Sequence, residues 1–369
     1  MEAMNGVSCI KGEIHSIVTL MRLNTRWSQQ SRVAEGAGTD INEENPIIKS
    51  FRKLNQYLEG MFDLRDVDCV VYLSPFHQVI ISEKASGVLT SACLSSVSKF
   101  CTYGFLCPTF PRAREGIALI ANCISHCVFE ESDWESDEVI LVKLLELSTL
   151  CLRCDASRLL NVRAAWEVYS TCISMQTQRR ASKILRSEAE TALRNLTLTT
   201  FSRAHNALKM YSHRESNESG DLFLNLNEDA DFGFFVNARG NSWDRISESY
   251  DFEGPIGVTI LLGKIMTVFS SLMDSSAQTV EGVKFALTLV NIALEAGGPA
   301  LGTVAPLVDV LRYLIHSKFW SKSHCHLLLF FFLIFLNIGF FATGGWSMFI
   351  KCCNNNFHLL FDLAWLNFT

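Results

Sequence analysis

From Val7 to about Arg203, apolar residues recur at the spacing of helices that bury one face. In the segment Ile10–Ser28, IKGEIHSIVTLMRLNTRWS, the residues Ile10, Ile14, Ile17, Val18, Met21 and Leu23 mark one side of a helix that ends in Trp27. The same pattern, broken by short polar or proline-bearing turns, predicts helices over 7–28, 45–60, 69–83, 87–105, 112–127, 136–153, 157–175 and 180–203. Pro46 sits where a first helical turn tolerates proline, and Pro108 and Pro111 interrupt the pattern. Ser132 with Glu135 resembles a capping box ahead of 136–153. That helix is apolar nearly all round, with Val139, Ile140, Leu141, Val142, Leu144, Leu145, Leu147 and Leu150, so it is expected to be a core helix covered on several sides.

Consecutive helices of this length, with broad apolar faces and short connections, bury those faces by stacking, so the expected fold is all-α, an armadillo/HEAT-like α-solenoid. No sequence repeat at a fixed period is legible. A helical domain is expected over 5–205, followed by an acidic flexible linker over 206–253 in which Gly, Asn, Ser and Asp replace the periodicity. Helical pattern returns at 254–273, 280–295 and 302–316, with Gly297-Gly298 suited to a helix stop, and marks a second helical domain beginning over 254–317. After Ile315 the character changes. The tail 318–369 is hydrophobic and contains one acid, Asp362, and its run Leu327–Thr343 carries no charge. Two readings of it stand: a transmembrane segment over 327–349, long enough against the roughly 20 residues a bilayer needs, or an aberrant C-terminus. Its phenylalanine-rich, low-complexity character favours the second.

At 369 residues with 49% hydrophobic and 19% charged content, the chain is rich enough to bury a sizeable core in two or three domains or one extended array. The formal charge of −6 is concentrated in residues 214–253, where ten acids face three arginines. No basic stripe interleaved with aromatics exists, which argues against a nucleic-acid partner. The 13 cysteines are scattered through helical segments, as buried free thiols are, and no secretory signal opens the chain. The compartment read from this is cytoplasmic, which leaves the sequons at Asn195, Asn217 and Asn367 idle.

The chemistry sought is mostly missing. The sequence has no Walker phosphate loop, no GxSxG elbow and no GxGxxG after a strand. The pair Cys151 and Cys154 lacks the second ligand pair that a structural zinc site wants, since Cys352-Cys353 has the wrong spacing. His126 and Cys127 close a helix without a matching metal motif. No catalytic residue, no cofactor and no metal ligand is assigned.

Read together, Ile10–Ser28, LSPFHQVIISE from Leu73, SSVSKF from Ser95 and ESDEVILVKLLELSTL from Glu135 resemble the N-terminal region of the large Arf guanine-nucleotide exchange factors, within them the Golgi brefeldin-A-resistance (GBF/GNOM) class. The second block, opening GPIGV and continuing VKFALTLVNIALEAGG, resembles the start of that family's next helical domain, upstream of the exchange domain. The resemblance implies a dimerisation and cyclophilin-binding type domain over 5–205 that regulates and does not catalyse. The family's exchange reaction uses a glutamate finger on a loop close to FRLPGE, and no such stretch occurs here. It further implies a homodimer, contacts with the downstream domains of an exchange factor, cyclophilin-type partners and peripheral association with Golgi membranes. By the same resemblance Lys99, in SSVSKF, and Glu138, in SDEV, belong to a dimer interface. As plain chemistry they are two helix-end charges, Glu138 suiting the positive end of its helix. Two other readings of the chain are a generic armadillo-like cytosolic adaptor and a tail-anchored membrane protein.

Overall fold

In a computed structural model of the protein, which describes residues 6–34, 46–129, 134–178, 181–215, 250–252, 254–272 and 280–303, every regular element among the described residues is helical. In chain order these are α1 (Gly6–Ala34), α2 (Pro46–Glu59), α3 (Cys69–Ile80), α4 (Gly87–Thr102), α5 (Ala113–Ser125), α6 (Trp134–Arg153), α7 (Val162–Thr177), α8 (Lys183–Glu215), α9 (Pro255–Leu272) and α10 (Val280–Gly297), with short 3-10 turns at Leu64–Asp66, Asp155–Leu159 and Gly298–Thr303.

The starts follow local chemistry. Pro46 opens α2, where its missing N–H costs nothing. Asp68 accepts from Val70 N at 2.8 Å and Asn161 from Ala164 N at 2.8 Å, each satisfying an orphan donor at a helix start. The Asn161 cap explains why the expected helix 157–175 begins later: Asp155–Leu159 forms a separate 3-10 turn, and α7 starts at Val162. Neither glycine nor proline lies between Ser28 and Ala34 or between Arg203 and Glu215, and α1 and α8 run on past their expected ends. Leu23 is half exposed, unlike the buried Ile10, Ile14, Ile17, Val18 and Met21, because two residues past Met21 is about 200° around the helix. Ser132 lies outside the described residues.

The chain divides into two compact units, Met1–Leu196 and Thr197–Thr369. In the first, α1 packs on α2 and α4, and α2 on α3. Further along, α3 packs on α4 and α5, α4 on α6, α5 on α6 and α7, and α6 on α7. Helices α4 and α6 therefore form one layer and α3, α5 and α7 the other, the arrangement of an α-solenoid. An edge-to-face chain of rings runs through it, Phe51 on Phe76 at 5.0 Å, Phe76 on Phe100 at 5.3 Å and Tyr72 on Phe100 at 5.8 Å. The buried Tyr72 hydroxyl donates to Phe105 O at 2.8 Å, which ties the segment after α4 to α3. Helix α6 is core as expected over Ile140, Leu144, Leu145, Leu147 and Leu150, but Val139 at its start faces solvent.

In the second unit α9 packs on α10 and is buried over Val258, Ile260, Leu261, Leu262, Ile265, Met266 and Phe269. Helix α10 ends at Gly297, followed by Gly298 at φ +52°, the left-handed stop that the glycine pair promised. His205 Nδ1 hydrogen-bonds Gly297 O at 2.9 Å and so occupies a terminal carbonyl of α10. The expected helix 302–316 lies almost wholly outside the described residues, as do most of the acidic stretch and the whole tail 318–369. Among the described residues no helix is long and apolar enough to cross a membrane.

Candidate interaction surface

Lys99 lies in the last turn of α4, a helix so fully packed that Val88, Lys99 and Thr102 are its exposed residues. Its ammonium donates to Glu13 Oε1 on α1 at 2.7 Å, and Ser96 Oγ, one turn earlier, donates to Glu13 Oε2 at 2.7 Å. The Lys99 side chain is 51% exposed and that of Glu13 only 21%, so the pair is a half-buried clamp holding α1 against α4. Glu13 sits on the apolar stripe of α1 between Ile10 and Ile17. A carboxylate there would be costly without these two donors.

Glu138 lies in the first turns of α6. Its Oε1 accepts from the backbone N–H of Ser182 at 2.8 Å, and Ser182 Oγ in turn accepts from Leu185 N at 3.0 Å. The carboxylate thereby anchors the residue that caps α8, at the helix end where negative charge is favoured. Lys99 and Glu138 thus engage different partners, Lys99 on α1 and Glu138 at the start of α8. Between α4 and α6, Lys143 Nζ donates to Ser95 Oγ at 2.8 Å. Gly87 allows the close approach here, since a Cβ on it would stand 2.8 Å from Ile140 Cδ1.

The other residues considered are the cysteine pair and the helix-end histidine. Cys151 is buried and Cys154 half-buried, with Cys154 Sγ donating to Cys151 O at 3.2 Å. Burial holds the Cys123 and Cys151 thiols well above the ordinary range. For Cys101 the hydrogen bond with Cys154 raises the thiol first and burial second. Such thiols stay protonated at neutral pH, whereas nucleophilic attack needs the thiolate. His126 follows α5 as its C-terminal cap, with Nδ1 3.1 Å from Asn122 Nδ2 and 2.9 Å from Ser125 Oγ, while His77 Nε2 meets Asn122 Oδ1 at 2.7 Å. Among the described residues no three His, Cys, Asp or Glu side chains are grouped to hold a metal.

Sequence reasoning missed Glu13 and Ser182, the partners of the two charges it singled out, and the exposed aliphatics Val88, Val139 and Ile184. A carboxylate on an apolar stripe was a usable signal for Glu13. The exposed aliphatics carry none: Val139 was expected in the core of a helix apolar nearly all round, and nothing around Val88 and Ile184 in the sequence sets them apart from buried aliphatics.

No protein-family description matches the chain. Among curated proteins it is 31% identical over 202 residues to the Golgi-specific brefeldin A-resistance guanine nucleotide exchange factor 1 homolog of Caenorhabditis elegans, covering 54% of this chain and 10% of that protein. It is 29% identical over 170 residues to the ARF guanine-nucleotide exchange factor GNOM of Arabidopsis thaliana, 46% of this chain and 11% of the relative. To ARF guanine-nucleotide exchange factor 2 of Saccharomyces cerevisiae it is 27% identical over 217 residues, 53% of this chain and 15% of the relative. The chain thus spans a small fraction of the length of the curated relatives it matches. Over about half its length it is similar in sequence to the large ARF guanine-nucleotide exchange factors of the Golgi brefeldin-A-resistance and GNOM class.

Proposed function

We propose that this polypeptide is a non-catalytic, self-associating scaffold corresponding to the N-terminal regulatory region of a large ARF guanine-nucleotide exchange factor, with residues 5–205 as the association domain and 254–317 as the start of the next. The observation that carries this is the pairing of an α-solenoid with similarity to several such exchange factors, in a sequence that contains no stretch near FRLPGE. Stacked helices offer broad side surfaces to other proteins. On this reading the partners are a second copy, the downstream domains of an exchange factor and cyclophilin-type proteins, and the place of action is the cytoplasmic face of the early Golgi.

The test has two arms. Purified full chain, added to an ARF GTPase loaded with a fluorescent guanine nucleotide, leaves the release rate unchanged. Two differently tagged copies, co-expressed, purify together through either tag. Acceleration of release removes the non-catalytic reading, and failure of the copies to associate removes the scaffold.

A further inference from the structure

Helices α4 and α6 run side by side in the same direction. At their starts Gly87 lies against Ile140, in their middles Lys143 Nζ reaches Ser95 Oγ at 2.8 Å, and at their ends the thiols of Cys101 and Cys154 hydrogen-bond each other. Cys101 stands in the last turn of α4, and Cys154 directly follows Arg153, the last residue of α6. The backbone at Cys154 is held in place, since its N–H donates to Leu150 O at 2.9 Å and its carbonyl accepts from Ser157 N at 3.1 Å. The two sulfurs therefore meet from rigid backbones across a packed helix pair, and such directed side chains are what disulfide geometry demands.

The two thiols differ in what reaches them. Cys101 is only 7% exposed, whereas Cys154 is half-buried, so a small oxidant meets Cys154 first. Within the pair the hydrogen bond holds the proton on Cys101, which leaves Cys154 to ionise first and to act as the nucleophile. We propose that Cys154 and Cys101 are a redox modification site, at which a peroxide oxidises Cys154 and the pair closes to a reversible disulfide that latches the end of α6 to the end of α4. In the first step the Cys154 sulfur attacks a peroxide oxygen, the O–O bond breaks, and the thiol proton leaves on the departing oxygen as water or an alcohol. Sulfur is oxidised to the sulfenic acid and the peroxide is reduced. In the second step the Cys101 sulfur attacks the Cys154 sulfur, an S–S bond forms, the S–O bond breaks, and the hydroxyl leaves as water with the Cys101 proton. A thiol reductant returns both thiols. The latch falls on a turn that also holds two other helices, through Lys99 on Glu13 of α1 and through Phe100 on Tyr72 and Phe76 of α3. This goes beyond the scaffold reading and does not depend on it.

The test treats the full chain, reduced beforehand, with hydrogen peroxide, blocks the remaining thiols with an alkylating reagent and digests the product with trypsin. Lys99 and Arg112 bound the peptide that holds Cys101, and Arg153 and Arg158 bound the peptide that holds Cys154, which separates it from Cys151. Wild type yields these two peptides joined, as the dominant linked form of Cys154, and dithiothreitol separates them. The joined form is absent from Cys101→Ser and from the half-buried, milder Cys154→Ser, whereas Cys107→Ser, which removes the other thiol of the first peptide, leaves it in place. Oxidised wild type melts higher than the reduced protein by roughly 5 °C, as closing a long loop in the unfolded chain does, and Cys154→Ser, with its helical signal intact, shows no such rise. Cys154 that stays alkylated after peroxide, or that links to Cys151 or Cys107 instead, overturns the pair. A joined form that melts no higher than the reduced protein overturns the latch.

Discussion

Lys99 on α4 and Glu13 on α1 meet at 2.7 Å across a helix pair, and the second oxygen of the same carboxylate takes the hydroxyl of Ser96. The contact gives the lysine a role inside one chain. With Lys99 half exposed, solvent screening keeps the pair modest, and either charge reversal is expected to cost about 1 kcal/mol. Lys99→Glu sets two carboxylates together, and Glu13→Lys sets two ammonium groups together. The double swap, Glu13→Lys with Lys99→Glu, restores the attraction and recovers more than half of the stability lost by the single variants, as a double-mutant cycle in urea measures. Two single losses that simply add in the double variant would show that the clamp contributes nothing.

Glu138 makes a separate case because its partner is a backbone N–H. Glu138→Gln keeps an acceptor for Ser182 N but loses the charge, whereas Glu138→Ala leaves that donor without it. The alanine variant is expected to lose about 1 kcal/mol and the glutamine variant less than half of that. Ser182→Ala removes the next link, the oxygen accepting from Leu185 N, and is expected to match Glu138→Ala within a factor of about two. Urea unfolding of the variants decides the order. A glutamine variant as unstable as the alanine one would mean that charge, not the hydrogen bond, is what the start of α8 uses.

The stripes of α1, α2 and α5 and the apolar run of α6 were legible because each depends only on residues within its own helix. Helix ends were legible where a residue marks them plainly, as at Pro46 and Gly297-Gly298, and illegible at Asn161, whose side-chain cap starts the helix expected from 157, and at Ala34 and Glu215, where nothing stops the pattern. The partners of Lys99 and Glu138 lie 86 and 44 residues away, a separation that only the layering of α4, α6 and their neighbours closes. The same holds for close approaches. Gly116 and Gly12 are both helical glycines, yet a Cβ on Gly116 would stand 2.8 Å from Cys69 Cβ while one on Gly12 would meet nothing within 4 Å. Which face of α6 leaves Val139 exposed also depends on how α4 and α8 begin beside it, information that no window of sequence around Val139 contains.

The buried thiols give the fold an alkaline limit. Burial on α7 pushes Cys172 up from 9.0 to about 12. In the unfolded chain the thiol ionises near its ordinary value, so between these two values the native state holds a proton that the unfolded state has released. The unfolded state is then favoured as pH rises: the stabilisation is complete below 9.0 and is lost progressively up to about 12. Within that window each such group contributes a slope of about 1.4 kcal/mol per pH unit. Urea midpoints taken in reductant at about pH 7 and about pH 10 should fall together with pH for wild type and Cys172→Ala, and the alanine variant should fall less by one group's share of that slope. Cys172→Ala loses some packing at neutral pH, which shifts both of its midpoints and leaves their difference as the readout. An unchanged difference would mean that Cys172 meets solvent in the native protein, and that the α6–α7 packing is looser than the structure has it.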